Sequence, residues 1–416
     1  MSINVVQTLP EDEWQDFVRN HQDGNIFHTP EMFQVFSKTK GYKPELWAAV
    51  KDGRTLALFV PVKITLLNGI MRRFTTRSVS YGSVLFLPTE EGHEGVIRLL
   101  ERYTREVDGY PLFTELRNLC NLEAIQQILQ KHKFIYEDHL NYLINISLSP
   151  EAIFEKFGRR TRKNIRRALR QGDVMIKEAK EELQVRACYE LLRQTYQNVQ
   201  VPLADYSLFK AAFEILYPKS MIIFTLAYVQ QTPVAASIEL LYKDIIYGWF
   251  GGVDRAYGSY VPNELVMWDI LEWGAKNGYR LYDFGGAGKA DEEYGVRDFK
   301  AKFGGDLVSF GRNVYVHAPF SLRLSKLGYG ISRRFFGTFM TMQEYYNSKQ
   351  TPAGLAVIPI PPYGQPPDMD LVNCQLWDRK NRGINHLNAS RSFIIVLLHW
   401  HKSTKKRTGD SVSQFA

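Results

Sequence analysis

Cysteine is nearly absent: Cys120, Cys188 and Cys374 are the three in 416 residues, and none stands in a CxxC or Cys/His spacing. That pattern excludes a disulfide framework and a zinc site, so the thiols read as reduced and no metal is expected. Long apolar runs are missing too. The stretch "FIIVLLHW", from Phe393, is far shorter than the ~20 residues a spanning helix needs. The opening "MSINVVQTLPEDEW" has neither a basic start nor an apolar core before its acids, which argues against a secretory signal. No Ser-His-Asp or Cys-His constellation stands out as a nucleophilic centre. The expected place is the cytoplasm, either free or at the inner face of the membrane.

What is present suits a globular enzyme or binding protein. Hydrophobic residues make up 45% and charged residues 23%, while aromatics are somewhat high at 13%. The net charge of +8 favours an anionic partner. An anionic small molecule, a lipid-linked precursor, tRNA or an acidic membrane surface would each fit; nothing points to DNA.

The chain reads as two similar halves and a tail. In the first half "ELWAAV" and "RTLALFVPVKI" meet at Asp52-Gly53, a hairpin signal. The strand-like "RSVSYGSVLFL", the helical "EGVIRLLERYTREV" and the strand-like "PLFTELRN" follow. In the second half "SMIIFTLAYV" and "PVAASIELLY" flank Gln230-Gln231-Thr232, and "DIIYGWFGG" adds a strand. A helix from about Pro262 to Asn277, entered by proline and stopped by Gly278, leads to "YRLYDFGG". The same order of elements recurs at an offset of roughly 170 to 180 residues, which implies internal duplication. Strands alternating with helices give an α/β (α+β) class, each half a mixed sheet with helices packed on it. The expected segments are 1–148, 149–345 with a basic first helix, and 346–416, a proline-rich linker and poorly ordered tail.

"EAIFEKFGRRTRKNIRRALRQG" sets Phe154, Phe157, Thr161, Ile165 and Ala168 or Leu169 at three- and four-residue steps, a helical stripe that Gly172 should end. The other faces carry Arg159, Arg160, Arg162, Lys163, Arg166, Arg167 and Arg170, with no acid among them. Like charges four apart cost a few tenths of a kcal/mol per pair. The run is either a solvated face or a phosphate-contacting surface, with Arg159, Arg162 and Arg166 as its candidate contacts.

Glycine clusters in "YDFGGAGKADEEYGVRDFKAKFGGD", Tyr282 to Asp306. It is not a P-loop, because Asp283 stands where the first glycine belongs and Ala290 replaces Ser or Thr. The dinucleotide pattern fails at Asp291. Elsewhere "RAYGSY", Arg255 to Tyr260, resembles the Arg/Gln-x-x-Gly-x-Gly/Ala loop with which GNAT-type acetyltransferases cradle the pyrophosphate of coenzyme A. It follows a strand and precedes a helix, the context that an anion site needs. Tyr260 departs from the small last residue. Arg255 and Gly258 are the cofactor-loop candidates, against a plain structural turn.

Together these residues resemble the FemABX family, aminoacyltransferases of peptidoglycan interpeptide bridges built on twin GNAT-like domains. The carriers are "RKNIRRALRQG", "YGWFGG", "VPNELVMWDILEWGAKNGYRLYDFGG" and "YGVRDFKAKFGG", over about residues 25 to 315. The last block resembles the family's G-x-x-x-F-K-x-x-F-G, with Gly295, Phe299, Lys300, Phe303 and Gly304 in register. The resemblance implies two tandem GNAT-like domains and direct transfer of an acyl or aminoacyl group to an amine. It also implies that "YDFGG" ends at the active cleft and that Lys300 stabilises the reacting acyl group. Asp283, at that strand end, is the candidate to take or orient the ammonium proton, or else caps a local turn. Tyr282, Tyr294 and Phe299 are expected substrate contacts, or core aromatics. The helical arm that some family members insert is missing, so a tRNA-docking role does not carry over from it.

No tightly bound cofactor is expected; acyl-CoA or aminoacyl-tRNA would be the co-substrate. Three functions remain in view. The first is transfer to a cell-envelope precursor such as a peptidoglycan-type peptide or amino sugar. The second is acyl-CoA-dependent N-acetyl transfer to another amine. The third is non-catalytic binding of an anionic glycolipid or RNA.

Overall fold

The computed structural model describes residues 2–108, 111–199, 201–289 and 295–328. The segment 346–416 expected as linker and tail lies outside them. Both hairpins form where turn chemistry places them. Asp52 and Gly53 both take positive φ, +52° and +76°, the primed geometry that matches strand twist. Gln230, at φ +57°, opens the two-residue link between strands Ile222–Val229 and Thr232–Tyr242.

The second half builds a seven-stranded sheet in the order Val174–Glu178, Ile222–Val229, Thr232–Tyr242, Ile245–Val253, Leu281–Gly286, Leu140–Asn145, Asp306–Ser309. The first half builds a six-stranded sheet in the order Tyr42–Pro44, Val62–Thr65, Thr76–Tyr81, Phe113–Arg117, Arg312–Val316, Ile135–Glu137. A smaller sheet of Asn4–Val6, Trp47–Lys51, Arg54–Phe59 and Val84–Phe86 adjoins it in sequence. In both large sheets a parallel pair sits at the same place, Thr76–Tyr81 with Phe113–Arg117 and Ile245–Val253 with Leu281–Gly286. Each pair requires a crossover, which helices Glu90–Glu106 and Pro262–Lys276 supply.

Hydrogen bonding does not follow a border at residue 148. Strand 140–145, from the first half, lies antiparallel between 281–286 and 306–309. Strand 312–316, from the second half, lies antiparallel between 113–117 and 135–137. The two halves therefore exchange equivalent strands, about 170 residues apart, and each sheet is incomplete without the other. An apolar core spans the seam as well: Phe27, Val62, Val79 and Tyr81 join one buried cluster with Phe209, Leu226, Ile238 and Trp249.

Helix Arg159–Gln171 ends at Gly172, φ +70°, as its sequence requires. It does not begin at the phenylalanines. Phe154 lies in a separate helix, Pro150–Glu155, and the helical path is interrupted before Gly158, whose N–H donates to the Lys302 carbonyl at 2.8 Å. Thr161, Ile165 and Ala168 form the buried face, and Leu169 is exposed.

Candidate active site

The two strands that flank the expected cleft pair only briefly. Ile245–Tyr247 run parallel to Leu281–Asp283, and there the pairing stops. Two residues further on, Trp249 is an extra residue opposite the neighbouring strand, which pairs Ile238 with Phe250 and Glu239 with Gly248. A bulge of this kind bends a strand and re-aims its backbone. The strands thus part at Asp283, and the turn that follows is glycine because its backbone demands it: Gly285 has φ +74°.

Asp283 is buried, and its carboxylate accepts the Gly285 N–H at 2.7 Å. It pairs in register with Tyr247, whose phenol is pushed well above its usual value, by burial first and by the Asp283 charge second. Lys300 comes in from helix Gly295–Ala301 with no exposed surface. Its ammonium donates to the carbonyls of Phe284 at 2.5 Å and Gly286 at 2.8 Å and stands 5.3 Å from the Phe284 ring centre. Burial lowers its pKa to about 7, and the Asp283 charge works in the opposite direction. The sequence thus brings its two catalytic candidates to one strand end. Lys300 is an anchored group, held by those two backbone carbonyls.

Beside them lies a buried polar cluster that sequence reasoning missed. Arg312 donates to Glu115 at 2.7 Å and to His139 Nε2 at 2.7 Å, and Arg117 donates to the other Glu115 oxygen at 2.8 Å. Burial alone would raise the Glu115 pKa, but Arg117 and Arg312 together hold it below the usual carboxylate range. Burial, then the Arg312 charge, drives the His139 pKa down to about 2, so its imidazole is neutral and accepts. Gly286 is glycine for room: a Cβ there would stand 2.8 Å from His139 Nε2. Arg117 stacks over the Tyr81 ring at 5.3 Å, and half-buried Arg77 has its pKa lowered, by burial first and by Arg117 second. Three guanidiniums thus face Glu115 at the seam. The signal for this was weak, because Glu115 and Arg312 are almost 200 residues apart and meet only through strand exchange.

Other expected contacts fall elsewhere. Tyr282 and Phe299 are core residues, 1% and 2% exposed, in the cluster beneath helix 262–276. Pleat alternation turns Tyr282 to the face opposite Asp283, and Phe299 packs on Phe284 and Phe303. Tyr294 lies outside the described residues. The arginines of helix 159–171 are not without an acid: Glu155, from the preceding helix, pairs with Arg162 and, at 2.8 Å, with Arg166. Arg159 is exposed. Arg255 and Gly258 lie in the 3-10 segment Arg255–Tyr260 between strand 245–253 and helix 262–276, as expected, with Arg255 exposed. A Cβ on Gly258 would meet no protein atom within 4 Å. Among the described residues no helix is long and apolar enough to cross a membrane.

This geometry defines a class. The parallel strands that part at a bulge, followed by a turn and a helix, are those of a GNAT-fold acyltransferase, and residues 155–300 match the acetyltransferase (GNAT) domain family. Among solved structures the chain is similar to FemX, at 13% identity and TM-score 0.60 over 78% of this chain and 99% of that one. A tandem GNAT protein from the clavulanic acid biosynthesis pathway aligns at 9% identity and TM-score 0.48, over 76% and 99% of the two chains. L-PGS from Bacillus licheniformis aligns at 10% identity and TM-score 0.48, over 77% and 96%. No curated protein matches by sequence. The chain thus has a GNAT fold at residues 155–300, within a tandem mixed α/β architecture similar to that of FemX.

Proposed function

We propose that the protein is an N-acyltransferase that moves an acyl group from a coenzyme A thioester to an amine of an anionic cell-envelope precursor, of the peptidoglycan-peptide or amino-sugar kind. The observation that carries this reading is the parting of strands 245–253 and 281–286 at Asp283, with the Lys300 ammonium fixed at the same end. In the transfer the neutral amine attacks the thioester carbonyl. The C–N bond forms, the C–S bond breaks, and the thiolate leaves with a proton from the amine. Such chemistry needs positioning and a donor for the carbonyl oxyanion more than a strong base. An ammonium has three N–H donors. Two of those on Lys300 hold the strand end, and the third serves the oxyanion. Asp283 takes one proton from the incoming ammonium and leaves the neutral amine that attacks; the proton freed after attack is the one that departs with the thiolate.

Arg255 and the backbone of 255–260 receive the pyrophosphate ahead of helix 262–276. The cluster of Arg77, Arg117 and Arg312 favours an acceptor with phosphate or carboxylate groups, and Arg159, Arg162 and Arg166 offer further charge. FemX as a structural neighbour agrees with an envelope acceptor. No observation among the described residues favours aminoacyl-tRNA over the thioester.

The test is release of free thiol from acetyl-CoA in the presence of amino-sugar and muropeptide acceptors. Acceptor-dependent release that Lys300→Met lowers at least 100-fold supports the reading. No coenzyme A binding by calorimetry, or full turnover in that variant, overturns it. Because Lys300 secures two carbonyls, the variant must be shown folded by circular dichroism before its rate is read.

A further inference from the structure

One tip of the first half, a strand-to-strand link, carries apolar side chains in water. The link between strands Val62–Thr65 and Thr76–Tyr81 exposes Leu66 (51%), Leu67 (52%), Ile70 (60%) and Met71 (42%). The helix that begins at residue 319 is tied to this link, where Ser325 Oγ donates to the Phe74 carbonyl at 2.7 Å. It buries Leu322 and exposes Phe320 (73%) and Leu327 (64%), seven residues apart and so on one helical face. Apolar groups this exposed, drawn from two segments joined in space, mark a contact surface.

Charge decides what it contacts. Residues 66–75 and 319–328 contain Arg72, Arg73, Arg323 and Lys326 and no Asp or Glu. Exposed apolar groups on two segments whose charges are all positive match the headgroup–acyl boundary of an anionic bilayer, where apolar area inserts and basic residues meet phosphate. We propose that this tip docks the protein on an anionic phospholipid surface. The strand leaving the tip carries Arg77 inward and reaches Tyr81, beside Arg117, about 13 Å further on. One strand therefore links the docked edge to the buried arginine cluster at the seam. The docking itself stands apart from the acyl-transfer reading.

The experiment is co-sedimentation of the full chain with vesicles of phosphatidylcholine alone and of phosphatidylcholine with 30% phosphatidylglycerol, the ~30% being chosen to give a surface potential of cellular size. Binding to the anionic vesicles only is expected. Ile70→Ser with Phe320→Ser should weaken it at least ~10-fold, and Arg72→Ala with Arg73→Ala about 30-fold. Melting temperature and turnover on a soluble acceptor should stay unchanged. Vesicle binding that survives the apolar pair assigns the contact to another basic segment and overturns the proposal. So does absence of vesicle binding. Concentration-dependent dimerisation abolished by the same pair would show a second copy as the occupant, again against the proposal.

Discussion

The two halves repeat one plan and have kept different parts of it. In the second, strand 281–286 ends in glycines and parts from its parallel neighbour after Asp283. In the first, the equivalent strand 113–117 ends in Glu115 and Arg117 and stays paired with Thr76–Tyr81 through Tyr81. Their crossover helices differ in the same sense. Helix 90–106 opens with Glu90 and Glu91 in its first turn, which repel an anion at the positive end of the helix. Helix 262–276 opens with Pro262 after Val261, at φ +49°, and its Glu264 is answered by Lys302 at 3.6 Å. The duplication thus left one open strand end and one closed, cationic one; on the function proposed above, the first would take the pyrophosphate-bearing donor and the second the acceptor.

The largest expected effect tests how the exchanged strands are held. Strand 312–316 is locked by Arg312 on buried Glu115, whereas strand 140–145 is held through the apolar Leu140, Tyr142 and Ile144. Removing one partner of a buried ion pair leaves the other charge uncompensated, so Arg312→Ala should cost about 3–5 kcal/mol in urea unfolding. Ile144→Ala should cost about 2–5 kcal/mol through cavity formation. Only the arginine variant should make the loss depend on pH near the Glu115 titration. Equal pH dependence in both would show that the network does not hold the exchange.

Next is the asymmetry of the chemistry. Lys300 in the second half should govern turnover as a cation with a pKa of about 7. The rate with a fixed neutral fraction of amine should fall as pH rises through about 7, by ~100-fold at full deprotonation. Lys300→Arg, charged throughout, should lose that falling limb. A limb that persists in the arginine variant assigns the titration to another group. Arg117→Lys, in the first half, should raise KM for the acceptor and leave the limb in place.

A smaller effect comes from buried histidines. Burial lowers His28 to about 3 and, with Arg312, His139 to about 2; burial likewise lowers His317 to about 4. Below about pH 6.5 the unfolded chain binds protons that the folded one refuses, so stability is present above that value and lost as pH falls. The loss is about 1 kcal/mol per histidine for each pH unit. Melting curves from pH 7.5 to 5 should fall steadily, and His139→Gln should flatten the slope. An unchanged slope would mean that His139 charges freely in the fold.

The sequence was legible where the information is local. Asp52-Gly53, Pro262, Gly172 and Gly278 punctuate the chain where they should, and the spacing of Phe299, Lys300 and Phe303 led to the strand end that Lys300 secures. What stayed hidden depends on partners far along the chain. Arg312 reads as an ordinary charged residue until strand exchange sets it against Glu115. Glu155 was overlooked because it pairs across a helix break rather than at helical spacing. Tyr282 and Asp283 are neighbours in sequence and lie on opposite faces of a sheet, so adjacency alone could not sort core from cleft.

The smallest expected effect bears on the donor loop. Gly258 has open space where a Cβ would sit, and its backbone is outside the left-handed region, so the fold itself does not require glycine there. Gly258→Ala should therefore leave stability unchanged or raise it by about 0.4–1 kcal/mol, because alanine restricts the unfolded chain. If residues 255–260 wrap a pyrophosphate, the methyl group meets the ligand instead, and coenzyme A should bind about 10-fold more weakly by calorimetry, a loss of ~1.4 kcal/mol. Unchanged affinity would remove the loop from the donor site while leaving the strand end in place. The first half supplies the control. A Cβ on Gly95, within helix 90–106, would stand 3.2 and 3.3 Å from the Cβ atoms of Leu56 and Ala49, so Gly95→Ala should disturb packing and leave coenzyme A binding alone.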